Sequence, residues 1–197
     1  MEYPNWFAST DAIRNFEKHL APLADKPDLL VLQIGAYTGD ATEWIVNNIF
    51  TPKYMDKNIL RLIDVDTWEG SDEPVHHNMD WQDVWQTYLT KNNWALDKNL
   101  VVPMKMTSDK YFSIMEHREF DFIYVDGDHT AFQVLKDGIN AWSVLKPGGI
   151  LAFDDYTWDL GKGIFYNPRY AIDAIIELLG DMAEVLEING QAWLKKK

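Results

Sequence analysis

The chain has 197 residues, with 18 basic and 31 acidic side chains and a formal charge of −13. That balance argues against a nucleic-acid backbone or an anionic membrane surface as partner, since both require a basic face. No cysteine is present, which excludes a thiol nucleophile, a cysteine-bound zinc, an iron–sulfur cluster and any disulfide.

One domain is the default at this length. Hydrophobic residues at 47% and charged residues at 25% are ordinary globular values, so wholesale disorder is not expected. The N-terminus has no basic segment followed by an apolar stretch, and apolar runs such as Leu29–Leu32 fall far short of a membrane span. A soluble, cytoplasmic protein is expected.

Short apolar runs alternate with helical patterns, which predicts an α/β architecture with a mainly parallel sheet. Ser9, Thr10 or Asp11 can cap a first helix ending near Leu20, with Ile13, Phe16 and Leu20 on one face. The run from Asp28 to Ile34 reads as a strand buried on both faces. Gly35 to Gly39 is a turn, and Asp40 with Glu43 makes a capping-box pattern for a helix that stops before Pro52. A second strand is predicted over Asn58–Val65. In the long connection that follows, Trp81, Val84, Trp85, Tyr88 and Leu89 form a helical stripe capped by Asp80.

Leu100–Met106 reads as a third strand, placed at an edge by Pro103. Asp121–Val125 is the fourth, followed by a helical stripe of Val134, Leu135, Gly138, Ile139 and Trp142. Lys146–Gly149 is a predicted turn and Ile150–Phe153 the fifth strand. Asn167 and Pro168 start a helix that Gly180 ends. Asn189-Gly190 signals a closing hairpin.

In an open α/β sheet, ligands bind beyond the carboxyl ends of the strands. After the first strand, glycines at 35 and 39 let backbone approach a ligand, and a helix N-terminus follows. Tyr37 stands where the dinucleotide fingerprint needs its second glycine, which lowers NAD as the ligand. After the second strand, Asp64 and Asp66 share one side of the chain. Asp66, nearer the end, is the choice for accepting ribose hydroxyls. After the fourth and fifth strands come Asp126-Gly-Asp-His129 and Asp154-Asp155. If those strands are neighbours, Asp126, Asp154 and Asp155 crowd one rim and call for a hard divalent cation such as Mg2+.

Four blocks carry a family resemblance: Val31–Asp40, Val65–Gly70, Phe122–His129 and Leu145–Tyr156. Together they resemble class I S-adenosylmethionine-dependent methyltransferases, in particular the small subgroup of sugar and antibiotic O-methyltransferases and cephalosporin-hydroxylase-like proteins. The resemblance spans roughly residues 28 to 194. It implies a Rossmann-like seven-stranded sheet of order 3-2-1-4-5-7-6, with strand 7 antiparallel and helices on both faces. It implies one methyltransferase domain over 1–197, with a helical lead-in over 1–27 and substrate-side insertions over 67–99 and 156–169.

The resemblance further implies S-adenosylmethionine as cofactor. Its methionine part would lie on Gly35, Ala36, Tyr37, Thr38 and Gly39, near Gln33, and its ribose on Asp66. Thr67, Trp68, Ser108 and Asp109 would lie beside the adenine, with Asp126 bordering the cofactor. Gln33 departs from the family, which usually has an acidic residue there. In metal-dependent relatives the residues matching Asp126, Asp154 and Asp155 hold Mg2+. Asp128 is the implied general base, with His129 as competitor.

The expected partner is a small hydroxylated molecule (a sugar, an aryl ring or a natural product), with neither nucleic acid nor membrane. A homo-oligomer is left open. Rival readings are a non-catalytic cofactor-binding module, a metal-independent N-methyltransferase and a nucleotide-dependent oxidoreductase. Aromatic residues of the two insertions could wall the acceptor. Arg169 is expected in a surface salt bridge, and Lys195–Lys197 as a solvated tail.

Overall fold

The computed structural model describes residues 3–24, 26–50 and 60–197. Seven strands form one sheet: β1 (Val31–Ile34), β2 (Leu62–Asp66), β3 (Val101–Lys105), β4 (Phe120–Val125), β5 (Leu145–Phe153), β6 (Ala183–Ile188) and β7 (Ala192–Lys196). Their order is β3-β2-β1-β4-β5-β7-β6. β7 runs antiparallel to both of its neighbours, and the other pairings are parallel. The expected order is therefore observed, with β3 and its Pro103 at one edge. Asn58, Ile59 and Pro52 lie outside the described residues.

The helices are α1 (Trp6–Ser9), α2 (Ala12–Leu20), α3 (Asp40–Asn48), α4 (Trp81–Lys91), α5 (Asn93–Asp97), α6 (Ser108–Ile114), α7 (Ala131–Ser143) and α8 (Pro168–Leu179). β1 and β4 are buried throughout, as strands covered on both faces must be. On one face, Phe16 of α2 packs edge-on against Phe122, Tyr124 and Trp193. Ile45 and Val46 of α3 complete that layer. On the other, Val134 and Ala141 of α7 join Ile172 and Ile175 of α8 over Leu151 and Phe153. Among the described residues, no helix is long and apolar enough to cross a membrane.

Several local expectations change. Asp40 does not close a capping box. Gly39 occupies the N-cap position at φ +83°, while the Asp40 carboxylate accepts Thr38 Oγ1 at 2.6 Å and pairs with Lys91 at 2.6 Å. The predicted turn at Lys146–Gly149 is absorbed into β5 as a bulge, since Leu145 pairs with Phe120 and Ile150 with Phe122. The closing hairpin forms, but neither Asn189 nor Gly190 has positive φ, so it is not the primed turn that Asn-Gly favours. Gln191 N instead donates to Asn189 Oδ1 at 2.9 Å. Lys196 is no tail residue, because its ammonium donates to the carbonyls of Trp142 and Leu145, both at 2.8 Å.

Asp64 fastens the helical layers to β2. It is fully buried, and its Oδ2 accepts from Thr42 of α3 at 2.8 Å and from Tyr88 of α4 at 2.6 Å. Its Oδ1 has no partner. Burial pushes its carboxyl up to about 7. The folded state therefore holds this proton more tightly than the unfolded chain, so stability falls as pH rises toward and through 7. Between pH 5 and pH 9, wild type should lose on the order of 2–3 kcal/mol of unfolding free energy relative to Asp64→Asn. Parallel urea-unfolding curves for the two proteins would contradict this.

Candidate active site

Gly35 follows β1 at φ +86°, and a β-carbon there would lie 1.8 Å from the Asp126 carbonyl oxygen. Only glycine lets the loop after β1 pass directly over the end of β4. Asp126 N donates to Ile34 O at 2.8 Å, which holds the two strand ends together. Asp66, at the end of β2, clamps the same loop from the other side. Its Oδ2 accepts from the backbone N–H of Ala36 at 2.8 Å and Tyr37 at 2.9 Å. Its Oδ1 accepts from Trp68 N at 2.7 Å. Tyr37, Trp68 and Asp155, which follow β1, β2 and β5, all have positive φ without being glycine. Backbone conformations of that kind concentrate at functional sites.

These strand ends border a cleft of about 370 Å3, within the size range of small-molecule sites. Of the anticipated residues, Gln33, Gly35, Ala36, Tyr37, Asp66, Thr67, Ser108, Asp109, Asp126, Asp128 and His129 line it. Thr38 and Gly39, at the end of the loop, do not line the cleft; Thr38 is buried and Gly39 packs against Asn92 and Tyr88. Trp68 is 1% exposed; its indole donates to Tyr37 O at 2.9 Å and packs on Trp85 and Tyr88. It is a core residue beneath the loop and does not flank the cleft.

The loop's backbone polar groups are largely engaged within the protein. The N–H groups of Gly35, Ala36, Tyr37 and Gly39 are bonded to Val65 O, Asp66, Asp66 and Ala36 O. Gln33 is 1% exposed, and its Nε2 donates to Gly35 O at 2.8 Å. That bond fixes the amide orientation and leaves Oε1 buried without a partner. A buried acceptor in this state has room for a further hydrogen-bond donor.

At the far side of the cleft, Gln133 Nε2 donates to Ser108 Oγ and Asp137 Oδ1, both at 3.1 Å. Asp109 is ion-paired with Lys136, which holds its carboxyl below the ordinary range. Asp137 is 1% exposed, and burial pushes its carboxyl up to about 6.

The acidic rim is arranged differently from the expected trio. Asp154 Oδ2 accepts from Tyr124 at 2.6 Å, and its Oδ1 accepts from Asp155 N at 2.9 Å. The donor atoms that converge, within 4.8 Å of one another, belong to Asp126, His129 and Asp155. His129 Nδ1 lies 2.8 Å from Glu73 Oε1, and Nε2 lies 2.9 Å from Asp155 Oδ2 and 3.8 Å from Asp126 Oδ1. These contacts lie off the ring N–H directions, so the pairing is electrostatic and not an aligned hydrogen bond. Burial disfavours the imidazolium, but Asp155, Asp126 and Glu73 outweigh it and raise the His129 pKa well above its ordinary value. Burial, and then repulsion from Asp154, raises Asp126, although its side chain keeps 32% exposure where it lines the cleft.

Asp128 is exposed, and its carboxylate accepts only Thr130 N, at 2.7 Å, among the described residues.

A methyltransferase-domain family model matches residues 32–156. The chain belongs to this methyltransferase family. No curated protein sequence matches it. The fold of this methyltransferase is shared with an O-methyltransferase from Bacillus cereus solved with SAH, at TM-score 0.62 and 15% identity over 93% of this chain and 81% of that one. It is shared with TomG from Streptomyces achromogenes, an O-methyltransferase of tomaymycin synthesis solved with SAM, at TM-score 0.62 and 14% identity over 100% and 91% of the two chains. NodS from Bradyrhizobium japonicum, an N-methyltransferase, matches at TM-score 0.54 and 16% identity over 93% and 96%. At these identities the likeness shows the class I S-adenosylmethionine-dependent architecture and not the acceptor.

Sequence reasoning passed over Glu73, Gln133 and Asp137 in this methyltransferase. Gln133 and Asp137 stand four residues apart on α7, a spacing that could have marked a polar face. Glu73 had no local signal. Replacing Gly35 by Ala should cost more than about 2 kcal/mol, because left-handed backbone strain adds to overlap with the Asp126 carbonyl. Urea unfolding within 0.5 kcal/mol of wild type would contradict the close approach.

Proposed function

We propose that this methyltransferase transfers a methyl group from S-adenosylmethionine to a hydroxyl of a small molecule, within a single domain whose insertions over 67–99 and 156–169 face the acceptor. The observation that carries the reading is the meeting, in one cleft, of the unpartnered Gln33 Oε1 and the exposed Asp128 carboxylate. The unpartnered Gln33 Oε1 fits the ammonium of the cofactor's amino-acid part. The bonded N–H groups of Gly35, Ala36, Tyr37 and Gly39 leave little donor surface for an anion there.

Asp66 keeps lone pairs for ribose hydroxyls beyond its three backbone bonds. Thr67, Ser108 and Asp109 line the side assigned to the adenine. Bound there, S-adenosylmethionine supplies a methyl activated by its positive sulfur.

The chain's own part is to orient the acceptor and manage its proton. His129 has both ring nitrogens turned to carboxylates, so it is ill-placed to take a proton. Asp128 is open to the cleft and takes that role. His129 contributes positive charge beside the oxygen that loses its proton. Trp6 and Phe7 of α1, with His76 and Trp81, line the cleft as apolar surface for a ring-bearing acceptor.

With the ring proton of His129 displaced, Asp126, Asp155 and His129 would offer ligand atoms for a divalent cation in place of the imidazolium, and the ion would lower the pKa of a bound hydroxyl. A nitrogen donor suits Mn2+ better than Mg2+. With both Asp154 oxygens engaged by Tyr124 and Asp155 N, this set replaces the trio that includes Asp154.

Radiolabelled methyl transfer to a panel of phenols and sugars, with calorimetric binding of S-adenosylhomocysteine, tests the proposal. Asp128→Asn should lower turnover by at least about 100-fold and leave S-adenosylhomocysteine affinity within about twofold. Wild-type turnover in the variant would remove Asp128 from the chemistry, and no nucleoside binding by wild type would sink the reading.

A further inference from the structure

We infer that Glu73 is a positioning residue, carried into the reaction centre by the β2–α4 connection to fix the His129 ring against Asp155. The inference rests on the reading that His129 stands beside the reacting oxygen.

Glutamate is rarely buried without a partner, yet Glu73 is 7% exposed. Its carboxylate has two side-chain partners. Oε1 accepts Ser71 Oγ at 3.2 Å and lies 2.8 Å from His129 Nδ1. The turn that carries it is fastened independently. His76 N donates to Glu73 O at 2.9 Å. His76 Nδ1 accepts from Ser71 N at 3.1 Å and lies 2.8 Å from Ser71 Oγ. The turn is anchored to α4 by Trp81, whose indole donates to His76 O at 3.3 Å and packs edge-on against the His76 ring at 5.0 Å. Gly70 makes that docking possible, since a β-carbon there would lie 2.4 Å from Trp81. Glu73 is thus delivered by a built turn.

His129 needs such a partner. Its Nε2 side faces Asp155 and Asp126. With nothing opposite, the ring would be free to turn about its side-chain torsions and settle between those two carboxylates. Glu73 on Nδ1 pulls the other way, and the edge-on contact with Trp158 at 5.9 Å limits the tilt. Ser71 and His76, from the same turn, also line the cleft. One segment therefore meets the acceptor and sets the histidine beside it, so acceptor binding and alignment of the centre share a structural element.

Glu73→Gln keeps the shape and removes the charge. It should move the His129 ring resonances in the histidine NMR spectrum of the protein without ligands. It should also lower kcat by at least about 10-fold while the KM for S-adenosylmethionine stays within about twofold, a split that a merely structural role would not produce. If Glu73→Gln fails to fold, Glu73→Asp, which keeps the charge on a shorter arm, should give the same two changes in smaller measure. Unmoved His129 resonances in a folded variant, or an unchanged kcat, would overturn the inference. Wild type that transfers no methyl group defeats the functional reading instead, and the resonance shift still decides where Glu73 holds the ring.

Discussion

The absent β-carbon of Gly35 lets the loop after β1 lie on the Asp126 carbonyl, and the rest of the site depends on that contact. Two neighbouring parallel strands end at the same level, and their following segments stay joined by the bond from Asp126 N to Ile34 O. The loop that faces a ligand from one side and the acids that face it from the other are therefore a single unit. Asp66 completes the unit from β2 by taking the N–H groups of Ala36 and Tyr37. The carbonyls of the loop are engaged as well, Gly35 O by Gln33 and Tyr37 O by Trp68, which leaves Gln33 Oε1 as the unpartnered acceptor beside the cleft. The loop therefore differs from a phosphate-binding loop, whose backbone N–H groups are free to face the anion.

The acidic centre solves a charge problem within the chain. Glu73, Asp126 and Asp155 would repel one another strongly in partial burial, and the imidazolium of His129 sits among them as their common counter-charge. Such an assembly adds little net stability but is costly to break, because removing one member strands the others. Asp154 is stabilised separately by Tyr124 and by Asp155 N. Asp128 stays outside this network, which leaves it chemically available although it is adjacent in sequence.

Legibility in the sequence followed the range of the interactions. The strands, the Asp80 and Asn167 caps, the glycine end of α8 and the strand order were readable, because they rest on local periodicity, cap chemistry and four blocks in a fixed order. The loop at Gly35–Gly39 and the acids after β2, β4 and β5 were readable because strand ends fix their position. Trp68 was misplaced because an indole beside a binding loop and an indole under it look alike in sequence. Only the packing on Trp85 and Tyr88 distinguishes them. Glu73 lies in the part of the insertion before the Trp81 helical stripe, which carries no periodic pattern, so no spacing rule could pair it with His129. The capping box at Asp40 failed because the helix starts one residue earlier than expected, with Gly39 at the N-cap, and the Asp40 carboxylate turns to Thr38 and Lys91.

The structure of the protein crystallised with S-adenosylhomocysteine tests the central claim most directly. The ligand's amino group should lie within hydrogen-bond distance of Gln33 Oε1, with its ribose hydroxyls on Asp66. A nucleoside seated elsewhere, or an amino group turned away from a still unpartnered Gln33, would contradict the account.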